Sequence, residues 1–184
     1  KWYNKNRLDQ YDYAIDGAAA NVIAAVASVE SNLPEGNDNV YDFVRGAFDY
    51  IRDNIEYDND APHPPRRGSS CLAAGIGDCD EQTNAFLSML RVRGVPGWYV
   101  FGVLSSQSFT QWEAHAWGYI QLPMSDEWCN EMNIDLNTCF VEASVDVTNN
   151  KWLLHTSSLL NIACPIDAMQ LRCMDLCSRI HSCK

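Results

Sequence analysis

The stretch GIGDCDEQTNAFLSMLRVRGVPGWYVFG, residues 75–102, decides how the rest of the chain reads. Gly75 and Gly77 allow a tight turn, and Asp78 can cap a helix that begins at Cys79. Phe86, Leu87 and Leu90 recur at helical spacing on the side that Cys79 and Thr83 share, and Gly94 with Pro96 stops the helix. A thiol at a helix start meets unpaired backbone N–H groups and the positive end of the helix dipole, which favour its anionic, nucleophilic form. An arbitrary cysteine is more often buried or disulfide-bonded, so the reading of Cys79 depends on the segments downstream of it.

Two later segments alternate as strands do. In EAHAWGYIQL, residues 113–122, His115, Trp117 and Tyr119 share one face and Ala116, Gly118, Ile120 and Leu122 the other. In FVEASVDVT, residues 140–148, Val141, Ala143, Val145 and Val147 point one way, with Asp146 on the opposite face beside Ser144 and Glu142. A cysteine on a helix start, then a histidine and an aspartate on successive strands, is the order of parts for a thiolate, its proton acceptor and a group that fixes the imidazole tautomer. Taken singly, His115 and Asp146 would more often be structural. Their order and setting favour a catalytic constellation. Glu142 lies about 13 Å from Asp146 at strand rise, so only one of them can serve His115, and Asp146 is preferred.

Gly-x-Cys-x-x-Gln, a helix ending Leu-Arg-x-x-Gly-Val-Pro, His-Ala-Trp and Val-Asp-x-Thr together resemble the transglutaminase-like superfamily, relatives of the papain-type cysteine proteases. The resemblance runs from about Val40 to Trp152 and is that of a small microbial-type member. It departs at Val147, where proline is common, and at Gly97, where arginine is frequent. It implies an α+β fold with a transglutaminase-like or papain-like core, the nucleophile helix packed on an antiparallel sheet. The carried-over roles are nucleophile for Cys79, general base for His115 and orienting carboxylate for Asp146. The backbone N–H of Cys79 can serve an oxyanion. Tyr57 is the family-consistent second donor, and Gln82, one turn past Cys79, can point into the same cleft.

At 184 residues the chain reads as one domain: a helical part over about 1–56, a catalytic core over about 57–155 and a cysteine-rich tail over about 156–184. The composition, 47% hydrophobic and 20% charged, is globular. A net charge of −11 argues against nucleic acid and anionic membrane surfaces as partners, and leaves a basic or neutral protein or peptide substrate. No run approaches the roughly 20 apolar residues a spanning helix needs. A targeting or anchoring segment outside this chain remains compatible with its start at Lys1. Eight cysteines point to an oxidising compartment: extracellular, periplasmic or cell-surface.

Outside the core motif, Leu8–Leu33 and Asn39–Asn54 read as amphipathic helices, and the segment between Glu56 and Ser70 as a polar, proline-rich loop. Asp58, Asn59 and Asp60 match no defined calcium loop and read as a solvated turn. Trp98–Leu104 suits a central strand buried on both faces. Cys129 and Cys139 bracket a polar loop and are the preferred disulfide, and Trp152–His155 reads as a last short strand; with Cys79 free, the seven other cysteines leave one more unpaired thiol, for which Cys71 is the candidate, or an intermolecular bond. Cys173, Cys177 and His181 share a helical face near Cys183. There disulfides are preferred over zinc, so no cofactor is expected.

These residues fit acyl transfer on a protein or peptide amide through a thioester, resolved by water (protease, deamidase or isopeptidase) or by a lysine amine (crosslinking transglutaminase). Hydrolysis is the preferred branch, because the large crosslinking relatives carry further domains. The competing class is a secreted, disulfide-braced binding module with an unused triad. Thiol–disulfide exchange is disfavoured because Cys79 has no Cys-x-x-Cys partner.

Overall fold

A computed structural model describes residues 14–34, 39–105 and 110–154. Along them run α1 (Ala20–Ser31), α2 (Val40–Asn54), β1 (Glu56–Tyr57), α3 (Gly68–Ala74), β2 (Ile76–Gly77) and α4 (Cys79–Val92), followed by β3 (Gly97–Ser105), β4 (Trp112–Pro123), α5 (Asp126–Glu131), β5 (Phe140–Asp146) and β6 (Lys151–Leu154). The last four strands form an antiparallel sheet in the order β3-β4-β5-β6, while β1 and β2 make a separate two-residue parallel pair. The architecture is α+β, with α4 packed on β3 and β4 and against α1, α2 and α3.

Helix α4 starts where the sequence places it. Asp78 accepts hydrogen bonds from the backbone N–H of Asp80 at 3.0 Å and of Glu81 at 3.1 Å, which satisfies two of the orphan donors at the helix start. Its far end is closed by Gly94 at φ 72°, a left-handed conformation that glycine adopts without a Cβ clash. Every residue from Glu81 to Leu90 is buried. Phe86, Leu87, Met89 and Leu90 join Phe43, Phe48 and Ile51 of α2 and Ile120 of β4 in the core. Each such side chain contributes roughly 1.5–3 kcal/mol on burial.

The polar residues of α4 are buried too, and their bonds reach other segments. Glu81 accepts from the Arg66 backbone N–H at 2.8 Å and pairs with the Arg66 guanidinium at 3.0 Å. Asn84 donates to the Arg66 carbonyl at 3.1 Å. Ser88 donates to the Asn84 carbonyl at 2.7 Å and accepts from the Asp16 N–H at 3.0 Å. These bonds fasten the turn before α1 and the loop before α3 to the central helix.

Four expectations change. The first helix begins at Ala20, because the chain at Gly17 lies so close to α4 that a Cβ there would stand 2.8 Å from the Arg91 Cβ and 2.9 Å from the Ser88 carbonyl oxygen. Its expected first turns, before residue 14, lie outside the described residues. The loop between Glu56 and Ser70 opens with β1 and runs into α3, which ends at Gly75 with φ 67°. Strand β3 is an edge of the described sheet, with Trp98, Tyr99, Phe101 and Val103 not fully buried, because α4 covers one face of it. The polar segment that opens before Cys129 carries α5, which is capped by Ser125 and includes Cys129 itself. The cysteine-rich tail, His155 and residues 106–109 lie outside the described residues.

Cys129 and Cys139 form a disulfide that closes the connection between β4 and β5. By loop-closure entropy a ten-residue separation stabilises by about 3 kcal/mol. Replacing both by alanine is therefore expected to lower the unfolding free energy by about that amount in urea titration, and an unchanged midpoint would contradict it.

Candidate active site

Three elements bring three side chains together. Cys79 opens α4 as a partly exposed free thiol. His115 sits on β4, buried, and Asp146 ends β5, also buried. His115 Nε2 and Asp146 Oδ2 are 2.8 Å apart, and the Cys79 thiol is a further hydrogen-bonding partner of the ring. A neutral imidazole has one donor and one acceptor nitrogen, so a proton on Nε2 shared with Asp146 leaves Nδ1 to take a proton from sulfur.

Burial disfavours a charged His115 ring, but the hydrogen bonds from Asp146 and Cys79 and their charges outweigh it and hold the ring up at about 9. For Asp146, burial works upward, yet the bond and charge of His115 together with two bonds from Asn149 hold the carboxyl below its ordinary value. The two shifts agree in direction, as they should for an imidazolium–carboxylate pair.

Trp117 lies against the ring, near-parallel at 23° with centroids 5.9 Å apart. Its indole N–H donates to Ser144 Oγ at 3.2 Å. On the neighbouring strand the indole needs a residue without a side chain: a Cβ on Gly102 would stand 2.6 Å from Trp117 Cη2. His-Ala-Trp on β4 and Gly102 on β3 thus work together to hold the imidazole.

Gln82 is buried, and both ends of its amide are used. Nε2 donates to the Gly77 carbonyl at 2.9 Å, and Oε1 accepts from Thr148 Oγ1 at 3.2 Å. It ties the start of α4 to the turn after Asp146. Tyr57 is half-exposed on β1; burial raises its phenol, reinforced by the charges of Cys79, Asp78, Glu113 and Asp80, so it lies within electrostatic reach of the start of α4. Glu142 is engaged away from the histidine, accepting from Tyr119 at 3.2 Å and Gln121 at 3.0 Å. In the 58–60 turn Asp58 is bonded to Arg66 at 3.0 Å and to the Asp60 N–H at 3.0 Å. Among the described residues no group of three His, Cys, Asp or Glu side chains could hold a metal ion. Cys71, the other free thiol described, is buried, and burial reinforced by Glu81 pushes it up to about 12.

Asn149 is the site residue that sequence reading missed. Its backbone N–H donates to Asp146 Oδ1 at 3.1 Å and its Nδ2 to Asp146 Oδ2 at 2.9 Å. Nδ2 also approaches His115 Nε2 at 3.2 Å. With the Nε2 proton committed to Asp146, two donors face each other there, so the amide serves the carboxylate.

A thiol at the start of a buried helix, facing a histidine on an antiparallel sheet, defines a papain-like α+β core. The family model for the transglutaminase-like superfamily matches residues 27–130, more than half of the chain and a span that includes Cys79 and His115. The chain belongs to the transglutaminase-like superfamily. Among solved structures, a "putative cysteine protease" from Cytophaga hutchinsonii shares the fold with a TM-score of 0.54 at 14% identity, over 79% of this chain and 42% of that one. The present chain thus spans less than half of that neighbour's length. No curated protein sequence matches.

This geometry can be probed in two ways. Gly102→Ala is expected to displace the Trp117 indole and cost about 1–3 kcal/mol by overpacking, read as a blue- or red-shifted tryptophan emission with a lower urea midpoint. A raised histidine stabilises the fold fully below its ordinary value of 6.5, and that contribution is lost as pH rises through about 9. The stability difference between the unaltered protein and His115→Ala should therefore shrink between those limits in pH-resolved urea titrations. A difference that stays constant or grows across that window contradicts the assigned pair.

Proposed function

We propose that the protein is a papain-like cysteine enzyme that transfers the acyl group of a protein or peptide amide through Cys79, His115 and Asp146. The observation that carries this reading is a free thiol at the start of α4 sharing a ring with a buried carboxylate 2.8 Å from its far nitrogen. In the proposed reaction His115 takes the Cys79 proton and sulfur attacks the amide carbonyl. The oxyanion is met by the Cys79 backbone N–H, with the Tyr57 hydroxyl as the second donor. His115 then delivers its proton to the departing amine as the C–N bond breaks, leaving a thioester on Cys79. Water, deprotonated by the same ring, cleaves the thioester and releases the acid and the thiol. Asp146 keeps the ring oriented and offsets its charge at each protonation. Gln82, joined to Gly77 and Thr148, acts as a positioning residue between the sulfur-bearing and carboxylate-bearing elements.

Hydrolysis is preferred over amine transfer because the neighbour that shares the fold carries a cysteine protease name. A single-domain reading, with catalysis carried by about 57–155, goes with this proposal. So does an extracellular, periplasmic or cell-surface location, supported by the Cys129–Cys139 disulfide. None of the described helices is long and apolar enough to cross a membrane. No cofactor enters the proposed chemistry.

Iodoacetamide should label Cys79 faster than any other thiol at neutral pH, and His115→Ala should slow that labelling. Peptide-amide cleavage should fall by about 10²–10⁴-fold in His115→Ala and vanish in Cys79→Ala. Incubation with a glutamine-containing protein and a labelled amine should release ammonia or new termini without incorporating the amine. Incorporation would transfer the assignment to the crosslinking branch, and uniformly slow labelling of all thiols would leave a binding module.

A further inference from the structure

A second acid stands at this site, and the relay from Cys79 through His115 to Asp146 does not use it. Asp80 follows Cys79 in the first turn of α4, with its Oδ1 4.0 Å from the Cys79 Sγ. The same oxygen accepts a hydrogen bond from the Tyr99 hydroxyl on β3. Tyr99 therefore does more than pack. Its phenol spends its only proton on the carboxylate and fixes the Asp80 rotamer, so that Oδ1 is held beside the sulfur. The other charged or titratable groups facing Asp80 are Asp78 at the helix cap, Tyr57 on β1, His63 from the loop before α3, and His115 on β4. Those facing the sulfur are Tyr57 on β1, Tyr99 on β3 and His115 on β4, with Asp78 and Asp80 from its own helix start.

We propose that Asp80, pinned by Tyr99, is a positioning residue that sets the pH window in which the Cys79–His115 pair is reactive. The inference rests on the reading of Cys79 as nucleophile and His115 as its base. A negative charge about 4 Å from sulfur opposes formation of a thiolate, and the same charge favours the imidazolium on the ring behind it. Both effects move the thiolate–imidazolium state to higher pH. Asp146 also favours the imidazolium, but from the far side of the ring, where it does not confront the sulfur. The two carboxylates thus stand differently: Asp146 holds the ring from its far side, whereas Asp80 sets its carboxylate oxygen 4.0 Å from the sulfur itself.

The test measures the rate of iodoacetamide labelling at Cys79 from pH 4 to 10 by mass spectrometry of the labelled peptide. The unaltered protein, Asp80→Asn, Tyr99→Phe and His115→Ala are compared, with urea midpoints recorded for each. Asparagine keeps the shape of Asp80 and still offers an acceptor to Tyr99, so the fold is retained while the charge is removed. Its labelling profile should move to lower pH by about one unit on the acid side. Tyr99→Phe, which frees the carboxylate to turn toward solvent, should move the profile the same way by less. A purely structural role would lower the urea midpoints of Asp80→Asn and Tyr99→Phe and leave the pH profile in place. An unmoved profile in Asp80→Asn, with labelling still dependent on His115, overturns this inference alone. Labelling of the unaltered protein that does not depend on His115 overturns the proposed function beneath it as well.

Discussion

Burial of helix α4 is the constraint on which the rest of the structure depends. From Glu81 to Leu90 every side chain of this helix is buried, and five of those ten are polar. A buried polar group without a partner costs roughly 1–3 kcal/mol, and a buried charge costs more. Glu81 and Asn84 therefore draw in the segment at Arg66, Ser88 draws in the turn at Asp16, and Gln82 draws in Gly77 on one side and Thr148 on the other. The apolar residues of the same helix would be content against many surfaces. It is the polar ones that fix which segments surround the helix start, and so where Cys79 sits relative to the sheet.

The electrostatics of the site inherit that fixity. His115 is buried on β4, where a charged ring would ordinarily be disfavoured, and it is held up at about 9 by partners placed on two other elements. Those partners are positioned by unrelated means: Cys79 by the Asp78 cap, Asp146 by its place at the end of β5 and by the Asn149 clamp. The ring is held flat by Trp117, which in turn depends on Gly102 having no side chain. The convergence of the three groups is thus a property of the packed whole, and no single one of them could create it.

Much of this was legible in the sequence because it is written locally. Asp78 before Cys79, and Gly94 after the apolar run, mark both ends of α4 without reference to any other segment. Strand alternation puts His115 and Trp117 on one face, and it puts Asp146 opposite the valines. What was not legible depends on partners distant along the chain. The pairing of Glu81 with Arg66 spans fifteen residues and a helix, and no local pattern in the sequence announces it. Helix α3 has seven residues, too few for a helical period to declare itself. The apolar run of β3 reads the same whether one face or two are covered, so its place at a sheet edge could not be read from composition. Asn149 stands among turn-forming residues and is read as one; nothing local distinguishes an asparagine that shapes a turn from one whose amide also clamps a carboxylate.

The remaining choice is between an enzyme and a scaffold that keeps the fold, and the energetics of the His115–Asp146 pair bear on it. Removing an imidazolium and a carboxylate from water is expensive, and well-packed apolar side chains of similar volume often stabilise a fold as well or better. A structural module therefore gains little from such a pair, and less from exposing a free thiol beside it, since an exposed thiol is open to oxidation or mixed disulfide formation. Cys71 shows the form a tolerated structural thiol takes in this chain: buried, and pushed up to about 12. Cys79 is arranged in the opposite way, partly exposed at a helix start with the His115 ring as its hydrogen-bonding partner. Two free thiols treated so differently within one fold favour chemistry at the second.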